Sequence, residues 1–349
     1  VGCGGCEAGA TWMKLNFGQP VPLRVLYPTT MLERMVKNMP SIPVEDRIGL
    51  LADGYAICKA GGMEPVQLVK LLEGYRAEAN DKVWGELSSV LGGLDRVVRQ
   101  GLQAETSKAF IAFVAKLVGP AFEKVGWEAR EGDDENTKIL RNTLVNSLAK
   151  FCFNDPAVAS EALKRFNDFV AAPNDLSVLG ADIRPAVLRI VMQAHGSDAI
   201  FDKLVEAHDV ATDAAVKEHI YSALGLAPTP ALKKRALDMA LSDKVRSQDL
   251  VYIPGAMAGN GKEGAEAVFN WAKEDYDTIY ARIGTTSMML FLHVVRISGS
   301  GFVHAAKALE VEAFWKGKDL YDKIAKTLSQ TLEAIRSNDA FVGRLAKSE

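Results

Sequence analysis

The sequence predicts an all-α protein, a superhelical α-solenoid of HEAT- or armadillo-like helix hairpins, preceded by a short β-hairpin. Three observations carry this. From Thr29 onward apolar residues recur at three- and four-residue spacing, the period of a helix with one buried face. The segments so marked are joined by short links such as Gly61-Gly62, Asn154-Asp155-Pro156, Ala172-Pro173-Asn174-Asp175 and Ala227-Pro228-Thr229-Pro230, and links that short force neighbouring helices antiparallel. Alternating, strand-like pattern is confined to about the first 30 residues. A run of such hairpins stacks into a curved array whose concave side grips something extended, although no strict sequence period marks the repeats.

Taken in order, residues 11–16 alternate as a strand, Phe17-Gly18-Gln19-Pro20 reads as a turn, and residues 21–27 as a second extended segment. Pro20 and Pro22 push that second run toward an edge or irregular strand, because proline donates nothing to a ladder. A lone hairpin is marginal in water, so residues 1–28 are expected to be the last strands of a β-domain and residues 29–349 a separate helical domain. Thr29 or Thr30 is the expected N-cap of the first helix, which opens with Met31-Leu32-Glu33-Arg34-Met35-Val36. The helical period then marks 44–60, 65–77, 82–98, 105–118, 135–151, 157–171, 183–194, 198–207, 213–224, 230–239, 248–256, 264–274, 276–283, 287–297, 305–312 and 319–337.

Composition narrows the function. At 349 residues, 48% hydrophobic and 24% charged, the chain reads as folded, soluble material able to bury a sizeable core. The formal charge is −3 and Lys and Arg are spread along the chain, which argues against nucleic acid, since phosphate binding needs a concentrated cationic face. Its apolar runs, such as the one interrupted by His293 and Arg296, fall short of a membrane span. The opening residues 1–10 are rich in Gly and Cys with no basic region ahead of an apolar core, unlike a signal peptide, and a start at Val1 leads to the expectation of a piece of a longer protein. Four cysteines, Cys3, Cys6, Cys58 and Cys152, make no disulfide framework for this length, and a reducing, cytoplasmic home is expected.

Several motifs fall in one order along the chain: Trp12-x-Lys14-x-Asn16, Arg24-Val25-x-Tyr27, Asp46-Arg47-x-x-Leu50-x-x-Asp53, Val83-Trp84, Leu140-Arg141, Asp182-x-Arg184, Ala223-Leu224-Gly225, Val245-Arg246-x-Gln248-Asp249, and Asn260-x-x-x-Gly264 leading to Phe269-x-Trp271. None is diagnostic alone. Their collinearity resembles the C-terminal helical domain of the puromycin-sensitive aminopeptidase and aminopeptidase N family, entered from the family's β-sandwich. Where the family usually keeps a Gly-Phe-Tyr-Arg-like segment this chain has Pro22-Leu23-Arg24, which leaves the hairpin register open. The resemblance implies a zinc aminopeptidase whose metal and catalytic residues lie in an upstream domain, with this chain as a lid that encloses peptide substrates. The implied partners are that upstream catalytic domain and peptides. The competing reading is a free-standing helical scaffold that holds a peptide or protein on its concave face.

The family's chemistry needs two histidines one helical turn apart, a Glu between them as general base, and a further Glu ligand. His195, His208, His219, His293 and His304 are never followed by Glu and no two are four apart, so no catalytic residue and no metal ligand is expected here, and zinc is assigned to the parent protein only. Gly255-Ala-Met257-Ala-Gly-Asn260 mimics the family's Gly-x-Met-Glu-Asn loop without its Glu and is read as coincidence. Cys3-x-x-Cys6 lacks a partner pair for a zinc knuckle, and Gly259-x-Gly261-x-x-Gly264 lacks the strand and ribose acid of a dinucleotide site and reads as a helix–helix turn. Residues 128–135 form a solvated acidic loop without the alternating ligands of a Ca²⁺ site. Trp84, Trp127, Trp271 and Trp315 sit at helical apolar positions and read as core. The resemblance places Ser287, Met288 and Met289, at the start of one helix, on the substrate cavity. The plain alternative for Met289 is a core gap-filler.

Overall fold

The computed structural model describes residues 3–4 and 12–348. Among the described residues there are seventeen α-helices and one two-stranded antiparallel ladder, and no helix is long and apolar enough to cross a membrane. The ladder joins β1 (Cys3–Gly4) to β2 (Lys14–Leu15), with Cys3 opposite Leu15 and Gly4 opposite Lys14.

That pairing corrects the hairpin expected from sequence, because residues 21–27 form no ladder with the described residues 12–16. The cause is local. Asn16 and Gln19 take left-handed backbone conformations, φ 53° and 56°, and Gln19 N–H closes a tight turn on Asn16 O at 2.9 Å. The Asn16 side chain then occupies the place of a partner strand: its Nδ2 donates to Val21 O at 2.8 Å and its Oδ1 accepts Val21 N–H at 3.2 Å. With Pro20 and Pro22 on either side, neither neighbour of Val21 has an N–H to offer a ladder.

Contacts divide the chain into two compact units. The first comprises Val1–Val98, Leu102–Ser147 and Phe341–Glu349. Its helices are α1 (Thr29–Lys37), α2 (Val44–Ala60), α3 (Pro65–Glu73), α4 (Asp81–Gly101) as far as Val98, α5 (Ala104–Val125) and α6 (Glu135–Phe151) as far as Ser147. Gly61, at φ 88°, ends α2 in the left-handed conformation that glycine takes without steric cost. A reciprocal capping box between Glu64 and Gln67 starts α3, and the Asn80 side chain accepts from Lys82 N and Val83 N to start α4. Leu51, Leu71, Tyr75, Trp84 and Leu87 form the centre of its core. Helix α5 runs on through Gly119-Pro120, seven residues past its predicted end. Pro120 withholds one N–H from Lys116 O, and because Lys116 is exposed, water can satisfy that carbonyl.

The second unit, Arg99–Gly101 and Leu148–Ala340, is built from α7 (Pro156–Ala171), α8 (Arg184–His195), α9 (Asp198–Val210), α10 (Ala214–Leu224), α11 (Pro230–Leu241), α12 (Tyr252–Ala258), α13 (Gly261–Glu274), α14 (Tyr276–Ile279), α15 (Met288–Ser300), α16 (Ala305–Lys316) and α17 (Tyr321–Leu345) as far as Ala340. Helices α8, α10, α12 and α15 pack on one another in succession, while α7, α9 and α11 each pack on the helix that follows and α11 also meets α13. Helices adjacent in sequence thus pack as neighbours, and α8, α10, α12 and α15 make a continuous layer beneath them. Asp155, Ser197, Asp213, Thr229 and Ser287 cap five of these helices with their side chains, so the polar punctuation read from sequence acts through real hydrogen bonds.

Candidate functional site

Ser287, Met288 and Met289 open α15, and the backbone that leads into them is unusual. Helix α14 passes directly into a π-helical turn, Tyr280–Gly284, in which Thr285 N–H reaches back to Tyr280 O at 3.3 Å. Such widened turns insert a residue and re-aim the next stretch of chain. Arg282 anchors the turn: its guanidinium donates to Ser242 O at 2.8 Å and also to Leu241 O and Val245 O, satisfying carbonyls left open at the end of α11. Ser287 N–H then bonds Ile283 O at 2.7 Å, and the Ser287 hydroxyl accepts from Leu290 N–H at 3.4 Å to cap α15.

The outcome is an apolar side chain held out in water. Met289 is 82% exposed, so the core-filling alternative does not apply to it, while Ser287 and Met288 are half-buried. His293 and Arg296 follow at helical spacing and are also exposed. The His293 pKa is lowered, by partial burial first and by the Arg296 charge second. Sequence reasoning missed these two, although the i, i+4, i+7 spacing from Met289 would have placed them on its face.

The motifs that carry the resemblance are structural. Lys14 and Asp46 form an ion pair at 2.9 Å with both side chains buried. Asp46 also accepts Gly18 N–H at 3.0 Å. Tyr27 accepts Leu15 N–H at 3.0 Å and its hydroxyl lies 3.2 Å from Leu15 O; burial pushes its pKa up to about 12, keeping the phenol neutral. Asp53 accepts Val25 N–H at 3.1 Å, and burial raises its pKa against the pull of that bond and of Arg24 and Lys14. Two carboxylates of α2 therefore hold the extended segment 12–28. Elsewhere Trp84 donates to Glu78 O at 3.0 Å, Arg141 pairs with Asp133, Arg246 pairs with buried Asp249 at 2.6 Å, and Gly225 and Gly264 admit close backbone approach.

The remaining features flagged in the sequence settle into local roles. Met257 is fully buried in α12, and Gly259–Gly264 turns from α12 into α13 with Gly261 at φ 77°. Asp133 and Asp134 are spent on backbone N–H groups of Arg130 and Thr137. Trp84, Trp271 and Trp315 are buried, and Trp127 meets Phe122 edge-on at 5.4 Å. Cys58 and Cys152 carry free thiols, whereas the side chains of Cys3 and Cys6 lie outside the described residues. His208 bonds Tyr221 instead of joining His219, and His195 and His304 face the backbone carbonyls of Ala159 and Gln100. Among the described residues no three His, Cys, Asp or Glu side chains gather to hold a metal ion, and the donor set present does not fit a zinc site.

Comparison with known proteins agrees with this geometry. The chain is 28% identical over 335 residues to Aminopeptidase M1-A of Oryza sativa subsp. japonica, covering 95% of this chain and 37% of that protein. It is 28% identical over 345 residues to Aminopeptidase M1 of Arabidopsis thaliana, covering 97% and 38%. Puromycin-sensitive aminopeptidase of Caenorhabditis elegans matches at 25% over 341 residues, covering 95% and 35%. The chain thus spans well under half the length of these relatives. The ERAP1-like C-terminal domain matches residues 12–337, nearly the whole chain, and the chain belongs to that family.

Proposed function

We propose that this chain is the helical, substrate-enclosing part of an aminopeptidase, and that upstream sequence of a longer protein supplies a zinc-bearing catalytic part and the β-domain that ends at residue 28. The relatives' names and the share of them that the chain spans support this reading. So does the N-terminal segment, where Met13, Leu15, Phe17, Val21, Leu23 and Leu26 are all exposed. An apolar strip of that density is what a preceding domain would cover. Stacked hairpins of the HEAT sort and a cytoplasmic setting belong to the same proposal. Burial pushes the thiols of both Cys58 and Cys152 up to about 11 and leaves them protonated.

The observation that carries the substrate role is Met289, apolar, exposed and fixed by a capped turn. A flexible thioether wall suits large apolar side chains and the alkyl stems of basic ones, and offers nothing to an acidic one. In the full-length enzyme Met289→Arg should therefore raise kcat/KM for substrates with N-terminal Glu relative to Arg. The expected change is about ten- to a hundredfold, from the ~1.5–3 kcal/mol of a charge-assisted hydrogen bond. Because the position is already in water, the thermal midpoint should not move. An unchanged ranking of Leu, Arg and Glu substrates would remove Met289 from the cavity.

A further inference from the structure

Met289 points into water because α15 is gripped on its opposite side. Phe291, two residues on and so about 200° round the helix, is fully buried. It meets the rings of Tyr280 at 5.3 Å, Tyr276 at 6.1 Å and Trp315 at 5.9 Å, each edge-on, an arrangement that aromatic pairs prefer. Tyr276 and Tyr280 lie nearly parallel, with planes 5° apart and centroids 6.3 Å apart, one from α14 and the other from the π-helical turn. Gly284 makes room for this stack, since a Cβ there would lie 2.1 Å from Tyr280 Cδ2. The ring cluster thus ties the turn ahead of α15 to α15 itself.

Lys318 closes the cluster from the link between α16 and α17. Its ammonium stands 3.9 Å from the centre of the Tyr276 ring and 4.6 Å from that of Phe314, and those two rings meet edge-on at 6.2 Å. Both distances fall inside the reach of about 6 Å at which a cation is drawn to a ring face. Lys316, two residues earlier, pairs with Glu312 at 2.7 Å, whereas half-buried Lys318 forms no ion pair among the described residues and is placed on the rings instead. We infer that Lys318 is a positioning residue for substrate selection: its charge fixes the Tyr276 ring, the Tyr276–Tyr280 stack fixes Phe291, and Phe291 fixes the rotation of α15 that presents Met289. The inference rests on Met289 lining the substrate cavity. Every link in the series is a packed contact, so removing the charge loosens the rotation of α15 without removing the helix.

The test is a double-substitution cycle in the full-length enzyme, read as the ratio of kcat/KM for N-terminal Leu over N-terminal Glu substrates. Lys318→Met keeps the alkyl stem and removes the charge, and should narrow that ratio by about two- to fivefold, the worth of one cation–π contact. Loss of a positive charge would by itself disfavour Glu and widen the ratio, so a narrowing cannot come from long-range attraction. Lys318→Arg keeps a cation on the rings and should restore the ratio. Met289→Ala should narrow it too, and in that background Lys318→Met should add nothing, because the lysine acts through Met289. A merely structural lysine would lower the thermal midpoint in both backgrounds and leave the ratio alone. A ratio moved by Met289→Ala but not by Lys318→Met, or moved equally by Lys318→Met in both backgrounds, would overturn the inference and leave the cavity reading standing. A ratio that Met289→Ala leaves unmoved would sink both.

Discussion

Asp209 decides the protonation pattern of His208. A carboxylate only accepts, so Nδ1, 3.2 Å from Asp209 Oδ1, carries the proton, and Nε2 accepts from the Tyr221 hydroxyl at 2.8 Å. The Tyr221 pKa is pushed up to about 12, chiefly by burial, so the donor persists at all ordinary pH. Burial lowers the His208 pKa, against the Asp209 carboxylate and with the help of Lys217 and Lys244, and it likewise lowers those of His219 and His293. A histidine whose folded pKa lies below its unfolded value near 6.5 takes up a proton first in the unfolded chain. Stability should therefore be full above about pH 6.5 and decline as the pH falls below it, by about 1.4 kcal/mol per unit of pKa difference. His208→Gln should flatten part of that acid limb, measured by urea unfolding between pH 4.5 and 7.5, and an unchanged slope would dismiss His208 as a contributor. The segments 198–207 and 213–224 marked in the sequence leave a gap between His208 and His219, and α9 and α10 likewise end and begin there. The sequence held no sign of Tyr221 as a partner, because a partner across a helix break lies off any periodic face.

At the scale of elements, helix existence was legible and helix ends were not. Helix α2 matches its predicted bounds because Gly61 and Pro43 terminate it chemically. Helix α5 runs through Pro120 to Val125, past its expected end at 118, and α17 continues to Leu345, eight residues beyond the expected end, because packing there outweighs a weak local signal. The π-helical turn ahead of α15 has no sequence signature at all, yet it sets where Met289 points. Glycines separate the two kinds of information. At Gly264 a Cβ would lie 2.1 Å from Met257 O, whereas at Gly85, inside α4, it would meet nothing within 4 Å. Gly264→Ala must push α12 and α13 apart and should cost about 1–3 kcal/mol. Gly85→Ala should instead stabilise by about 0.5–1 kcal/mol through helix propensity. Thermal unfolding of the two variants reads the contrast directly, and a stable Gly264→Ala would show that the close helix approach is not required.

For the whole molecule, the sequence drew a boundary at residue 28, with strands before it and helices after, and across that boundary segment 12–28 is bonded to α2. Asp46 is 0% exposed and its partners are Lys14 and Gly18, while Asp53 holds Val25 N–H. If the segment were only a strand remnant resting on the helices, Lys14→Met would be nearly neutral, since the substitution keeps the volume and adds apolar surface. The buried charge argues otherwise: Asp46 would be left without its counter-ion in a site closed to water, a loss of about 3–5 kcal/mol. Deleting residues 1–28 removes the same ion pair but also uncovers Asp46, so water can solvate it and the electrostatic part of the cost should be smaller than for the point substitution. Asp46→Asn in the Lys14→Met background removes the stranded charge and should recover most of what Lys14→Met loses, although the Asp46→Asn change alone leaves the Lys14 ammonium buried and unmatched. Because the chain divides into two compact units, one global midpoint would mix their responses. Amide hydrogen exchange at Leu50 and Leu51 of α2 reports the relevant unit. Faster exchange in Lys14→Met, restored in the double variant, is expected, and protection unchanged in Lys14→Met would show that the segment is not held through this pair.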